Sequence, residues 1–297
     1  MQVDPHILAR IKNYELRSLR VVESFMAGMH KSKLLGISTE FAQHRPYSQG
    51  DDTKHLDWKV YAKTDRFYLR EYEAETSMQV VFLLDTSKSM FFQGEKAAFS
   101  KFEYAATTLS ALAYLLMQQK DSFSLVLFDS DVRSFLPARG SQTHFRNMTE
   151  LLDKTTPGGQ TDLAKTLMTI VPQLKRRSLL VVFSDFLTDV NELSLGIGQV
   201  SFGEHDLLLF HVEDPLERDF ALAGQTVFVG PEQEGKLLCD PRDLRQAYLG
   251  ARKKHLSGLR ELGLRSGYDL EEMPTDAPIE EKLTKLLAYR LARRKRG

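Results

Sequence analysis

The 297-residue chain balances 40 Lys and Arg against 40 Asp and Glu, with 42% hydrophobic and 27% charged residues. This composition excludes intrinsic disorder, which needs low hydrophobicity and high net charge, and a net charge of zero lacks the positive footprint of a dedicated nucleic-acid binder. The length suits one large domain or about two ordinary ones, either of which can bury a sizeable core.

The start, MQVDPHILARIKNYELRS, is too polar for a signal peptide. The longest apolar stretches, residues 80–84 and 179–183, have the length of strands and fall far short of a membrane span. The chain therefore reads as soluble and cytoplasmic. Apolar residues at Ile7, Ile11, Tyr14, Val22 and Met26 predict one N-terminal helix, started by Asp4 and Pro5 and ended by Gly28. Residues 29–77 are polar and charged. Short alternating pieces over 56–61 and 67–72, around the turn-forming residues 49–52, predict strands of an accessory β layer. The domain division expected is therefore 1–77, helix plus accessory layer, and 78–297, the main domain.

From Met78 a βα rhythm takes over. Residues 78–85 form a continuous apolar run, as in a strand buried on both faces of a parallel sheet. Residues 101–119 are rich in Ala and Leu without Gly or Pro, which predicts a helix. Strands follow at 122–128, 178–184 and 206–212, with helices over 144–154 and 162–173 between them and a loop or helix before the last. Two short strands, 226–229 and 236–239, precede a long helix from Pro241 to about Leu262, an edge strand at 267–273 and a final helix over 278–294. This alternation predicts an α/β fold with an open, mostly parallel sheet and helices on both faces. The single cysteine, Cys239, excludes an intramolecular disulfide and reads as a buried small hydrophobe. The basic tip Arg290, Arg293, Arg294, Lys295 and Arg296 reads as a solvated helix end favoured by the helix dipole.

Open α/β sheets bind ligands beyond the carboxyl ends of their strands. Asp85-Thr86-Ser87-Lys88-Ser89 follows one buried run and Asp185 another, while Thr161 lies in the glycine-rich loop 157–163 that leads into a helix. Asp85, Ser87 and Ser89 point to one side if the loop after the strand stays extended. Carboxylate and hydroxyl oxygens are hard ligands suited to Mg²⁺ or Mn²⁺. Since only Asp85 and Asp185 carry charge, a dication held here keeps an electrophilic position for an outside oxygen, ideally a carboxylate.

The set Asp85-x-Ser87-x-Ser89, Thr161 and Asp185 resembles the metal-ion-dependent adhesion site of von Willebrand factor A domains, in the same order and on the matching elements. Residues 28–77 resemble the segment that precedes such a domain in the bacterial family called domain of unknown function 58. The recognisable pieces are Glu40-Phe41, Arg45-x-Tyr47, Gly50-Asp51-Asp52, Asp57-Trp58 and the acidic run 71–75; the stretch 268–290 fits as well. Ser38 stands where a second glycine is expected and Lys63 where arginine is commoner; neither touches the metal motif. The resemblance implies a von Willebrand A-like domain and a role as adaptor or partner of a MoxR-type AAA+ ATPase in a chaperone-like complex, with a partner Asp or Glu reaching the metal. Many relatives carry transmembrane helices ahead of this region, so this chain resembles the soluble branch.

Other chemistries fit less well. A metal-dependent, phosphatase-like hydrolase using Asp85 would need a second Asp as general acid two residues on, where Ser87 stands. There is no P-loop lysine beside Gly158-Gly159 and no G-x-S-x-G turn. His30, His44 and His55 match no ligand spacing. Gly50-Asp51-Asp52 and Asp57-Trp58 read as a turn paired with Arg45 or Arg70 and an aromatic anchor, rather than a second site. No catalytic residue is assigned.

Overall fold

The structure is a computed structural model and describes residues 4–29, 43–46, 61, 68–71, 79–222, 226–229 and 236–284. It divides into two units, residues 28–77 and residues 1–27 with 78–297. In the smaller unit β1 (Gln43–Pro46) pairs antiparallel with β2 (Tyr68–Glu71), in the register Gln43↔Glu71 to Pro46↔Tyr68. The expected turn at 49–52 lies outside the described residues, as do Asp57-Trp58, the strand at 56–61 except Tyr61, His30 and His55, the side chains of His44 and Cys239, and the basic tip.

The larger unit is built on six strands. β3 (Gln79–Asp85), β4 (Ser122–Phe128) and β6 (Ser178–Ser184) are apolar on both faces and occupy the middle of the sheet. β7 (Asp206–Glu213) and β10 (Asp269–Pro274) extend it on one side, and β5 (Val132–Arg139) closes the other, giving the order β10-β7-β6-β3-β4-β5. All neighbours run parallel except β4 and β5. The edge strand β5 alternates half-buried and exposed residues and carries Pro137, which an edge tolerates because its missing N–H need not pair there. A separate antiparallel pair, β8 (Thr226–Val229) and β9 (Lys236–Cys239), lies at the expected positions.

Helices cover both faces, as the alternation predicts. On one face α5 (Leu163–Ile170), α6 (Val190–Phe202) and α8 (Pro241–Ser266) place Leu167, Ile170, Leu193, Ile197 and Leu259 against Val81, Leu83, Val182 and Leu209. On the other, α3 (Lys101–Gln118) is buried over nearly its whole circumference, as expected of a helix apolar all round. It starts with a capping box, in which the Ser100 hydroxyl accepts from the Glu103 N–H and the Glu103 carboxylate accepts from the Ser100 N–H. α4 (Gln142–Asp153) lies beside it, with the ring of Phe145 tilted against Tyr114 of α3.

Within the last described residues, 279–284 are helical, the start of the expected C-terminal helix. Helix α6 falls where the sequence left loop or helix open. Gly196 explains its close seat on α5: a Cβ there would lie 2.8 Å from the Ala164 Cα and 3.1 Å from its carbonyl oxygen. Gly196→Ala must push two backbones apart and is expected to cost about 1–3 kcal/mol, read as a lower denaturation midpoint; an unchanged midpoint would show that α5 and α6 are not packed this closely.

The N-terminal segment differs from the expected single helix. α1 (Pro5–Ala9) is capped by the Asp4 carboxylate, which accepts from the His6 N–H at 2.8 Å. The chain then breaks, and Asn13 caps α2 (Tyr14–Met29) by accepting from the Leu16 N–H. The break persists because Arg17 donates to the carbonyls of Ile11 and Ala9, which a continuous helix would turn elsewhere. Arg17 also donates to the Thr107 hydroxyl of α3. The buried side chains of Val21, Val22 and Phe25 accompany it, so these helices group with the sheet unit and not with residues 28–77.

Candidate functional site

Strand order places the site. From β3 the chain crosses to β4 on one side and later returns to β6 on the other, so β3 and β6 flank a topological switch point, where open α/β sheets leave a crevice at their carboxyl ends. Asp85 closes β3 and Asp185 follows β6, and the two strands run in register up to Leu84↔Phe183. Both carboxylates are buried, at 0% and 3% exposure.

The five residues predicted from the sequence meet in one hydrogen-bonded network. Asp85 Oδ1 accepts from the Ser87 N–H at 2.8 Å, an Asx-type turn that aims the loop back over the strand end. Asp85 Oδ2 accepts from the Thr161 hydroxyl at 2.8 Å. The Ser87 and Ser89 hydroxyls lie 3.2 Å apart, and the Ser89 hydroxyl bonds Asp185. Lys88 to Phe91 form a single 3-10 turn that carries Ser89 back beside Ser87.

The three contributing loops are tied to one another. The Thr86 N–H and hydroxyl both donate to the Phe128 carbonyl, and the Thr86 carbonyl accepts from the Gly158 N–H at 2.7 Å. Arg133 on β5 donates to the Thr86 hydroxyl and to the Thr156 carbonyl, joining the Asp85 loop to the Thr161 loop. At Gly158 a Cβ would fall 2.2 Å from Asp129 Oδ2, the oxygen that accepts from the Gly159 N–H, so a larger residue there must displace the Asp129 side chain. On the third loop Phe186 adopts φ 51°, a left-handed conformation that costs a bulky residue about 1–2 kcal/mol. Its N–H donates to the Ser184 hydroxyl, and its carbonyl accepts from a His255 ring N–H, so both sides of that strained residue are fixed.

Three participants were not expected from the sequence. Ser184, the last residue of β6, donates its hydroxyl to Asp85 Oδ2 at 2.6 Å. Lys101, the first residue of α3 and 0% exposed, donates to Asp185 Oδ2 and to Glu217 Oε1, each at 2.8 Å. Glu217 belongs to the short helix α7 (Pro215–Asp219), where its other oxygen accepts from the Asp214 N–H. A polar residue closing an otherwise apolar run was the available signal for Ser184. For Lys101 it was a basic residue at a helix start, where the dipole disfavours it.

The electrostatics separate the two aspartates. Burial, and then the negative charge of Asp185, push the Asp85 carboxyl from 3.8 up to about 6, against the bonds from Ser184 and Ser87. Burial also pushes Asp185 upward, but the Lys101 ammonium, by charge and hydrogen bond, outweighs it and holds the carboxyl below its ordinary value. Burial lowers the neighbouring His211 to about 4, and its Nδ1 is buried without a hydrogen-bond partner.

Two carboxylates and three hydroxyls form a hard-oxygen donor set that fits Mg²⁺ or Mn²⁺. Among the described residues no group of three or more His, Cys, Asp or Glu is arranged to hold a metal; the set here is rich in hydroxyls instead.

The chain is 24% identical over 232 residues to "Uncharacterized protein Rv1480" of Mycobacterium tuberculosis, covering 77% of this chain and 72% of the relative. The same figures hold for "Uncharacterized protein Mb1516" of Mycobacterium bovis. Among solved structures, an aerotolerance-related membrane protein from Bacteroides fragilis is similar at 16% identity and a TM-score of 0.49, covering 70% of this chain and 96% of that one. BatB from Bacteroides thetaiotaomicron, a conserved hypothetical protein, is similar at 12% identity and a TM-score of 0.47, covering 71% and 98%. No described helix is long and apolar enough to cross a membrane. The family described as "Protein of unknown function DUF58" matches residues 43–257, which include both halves of the site, and the chain belongs to that family.

Proposed function

We propose that the protein is a divalent-cation-dependent protein-recognition module, a cytoplasmic adaptor rather than an enzyme. The observation that supports this most is the joining of Asp85, Ser87, Ser89, Thr161 and Asp185 in one network at the switch point of the sheet. In this reading those residues hold Mg²⁺ or Mn²⁺, directly or through water. The incompletely neutralised ion attracts an Asp or Glu of the partner, a charge-assisted contact at the centre of an otherwise ordinary interface. The family resemblance points to a MoxR-type AAA+ ATPase as that partner. A hydrolase reading lacks its general acid, since the position two residues after Asp85 is Ser87, whose hydroxyl is engaged with Ser89.

The test is a titration of a purified MoxR-type ATPase against wild type and Thr161→Ala, each with Mg²⁺ and with chelator. Thr161 donates to Asp85 and offers a neutral ligand oxygen, so its removal is expected to weaken metal-dependent binding by a few kcal/mol at most. Chelation should do the same to wild type and add little in the variant. Equal affinity in all four conditions would remove the metal from the interface.

A further inference from the structure

Lys101 is an unusual residue for its place. It opens helix α3, where the dipole presents its positive end, and it is fully buried, which lysine almost never is without partners. Neither feature helps the helix form. Both place one permanent positive charge behind the strand ends, 2.8 Å from Asp185 Oδ2. The ammonium is held there from two directions. The Ser100–Glu103 capping box fixes the start of α3. Glu217 receives the ammonium on Oε1 while Oε2 accepts from the Asp214 N–H, and Asp214 in turn accepts from the Gly94 N–H.

We infer that Lys101 is the resident cation of this site, weakening the binding of a divalent metal taken alone and so making its retention depend on the partner's carboxylate. This rests on the metal reading proposed above and adds a regulation to it. Lys101 is shared by Asp185 and Glu217, so part of their negative charge is already taken up and a bound dication stays incompletely neutralised. Without Lys101 the same ion would meet a net charge more negative by one unit, because the repelling ammonium is gone. The resident ammonium also shields the carboxylates when no metal is present, so the loops keep their geometry instead of separating. The metal then enters a preformed site of modest affinity. An incoming carboxylate meets a centre that still has Lys101 behind it, so the positive charge favours metal and partner carboxylate together over metal alone.

The test is a calorimetric titration of chelator-treated full-length protein with Mn²⁺, comparing wild type, Lys101→Met and Glu217→Gln, with folding followed by circular dichroism. Lys101→Met is expected to bind Mn²⁺ about tenfold more tightly or better, as removal of a nearby like charge requires. Its melting temperature should fall in chelator and rise more with Mn²⁺ than that of wild type. Glu217→Gln removes a negative charge and leaves the ammonium wholly on Asp185, so Mn²⁺ should bind it more weakly. Opposite signs in the two variants are the signature. Weaker binding in both would overturn the inference and reduce Lys101 to a support for Asp185, and unchanged binding in Lys101→Met overturns it too. If Lys101→Met does not fold, Lys101→Gln, which keeps an N–H donor for Asp185 and Glu217 without the charge, decides: tighter binding supports the inference, and unchanged or weaker binding overturns it. Binding by Lys101→Met with none measurable by wild type supports the inference in its strongest form, since the metal alone is then held only when Lys101 is absent. No binding by either removes both.

Discussion

Replacing Asp85 by asparagine is expected to abolish divalent-cation binding and, at the same time, to raise the melting temperature of the metal-free protein at neutral pH. The reason is the cost of ionising a carboxyl that is 0% exposed and faces a second aspartate. In the folded state its pKa rises from 3.8 to about 6. A raised carboxyl pKa means that this group stabilises the fold fully below about pH 4, and that the contribution is lost as pH climbs through about 6. At neutral pH the ionised side chain then costs about 3 kcal/mol, to order of magnitude. Asparagine carries no charge. Its oxygen can still accept from the Ser87 N–H, and its amide faces the Thr161 and Ser184 hydroxyls, which can rotate to accept. The melting temperature of wild type in chelator should decline between about pH 4 and 7, while that of Asp85→Asn declines less and lies several degrees higher at neutrality. Added Mg²⁺ or Mn²⁺ should raise only the wild type, and more so as the carboxylate ionises. A lower melting temperature for the metal-free variant at neutral pH, or cation binding that survives the substitution, would contradict this account.

That trade of stability for a charged site bears on what the sequence could and could not disclose. The strands at 122–128 and 178–184 were legible to the residue because continuous apolar runs of that length have one use in an α/β protein, the middle of a parallel sheet. Edge strand β5 was not, since its half-exposed alternation and Pro137 give it no continuous run. Helix α6 was obscured by Gly196 and Gly198. Gly196 weakens helix propensity and is nevertheless what the close approach to Ala164 demands. The same contrast holds in the site. Asp85, Ser87, Ser89, Thr161 and Asp185 stand at the ends of recognisable elements, so topology alone brings them to one edge. Lys101 and Glu217 lie 84 and 116 positions from the groups they join or are joined by, and nothing local marks that pairing. The break between α1 and α2 was hidden for a similar reason, because the tertiary bonds of Arg17 hold it.

Arg17→Ala is expected to be among the most destabilising single changes in the described part of the chain. Arg17 is 2% exposed and places Nε 2.8 Å from the Ile11 carbonyl, with further bonds to Ala9 and to Thr107 of α3. Its carbon lies 5.0 Å from the centre of the Tyr14 ring and 5.1 Å from that of Phe99, so the cation rests between two aromatic rings. Truncation removes those contacts, leaves two carbonyls at the helix break short of a donor, and opens a cavity beneath α2. The sum is expected to be about 3–5 kcal/mol. Arg17→Lys should recover only part of it, because an ammonium cannot fork to both carbonyls or stack as a planar group. Phe99 immediately precedes Ser100 and Lys101 in sequence, so α2 supports the start of the helix that carries the buried ammonium. Hydrogen exchange in Arg17→Ala should therefore accelerate first in α1 and α2 and next in the opening turn of α3, while the central strands β3 and β6 stay protected. A melting temperature equal to that of wild type would mean that α2 is not docked on α3 in solution. Uniform exchange across α3 and the sheet would mean that the N-terminal helices are part of a single cooperative core instead of a brace on one side of it.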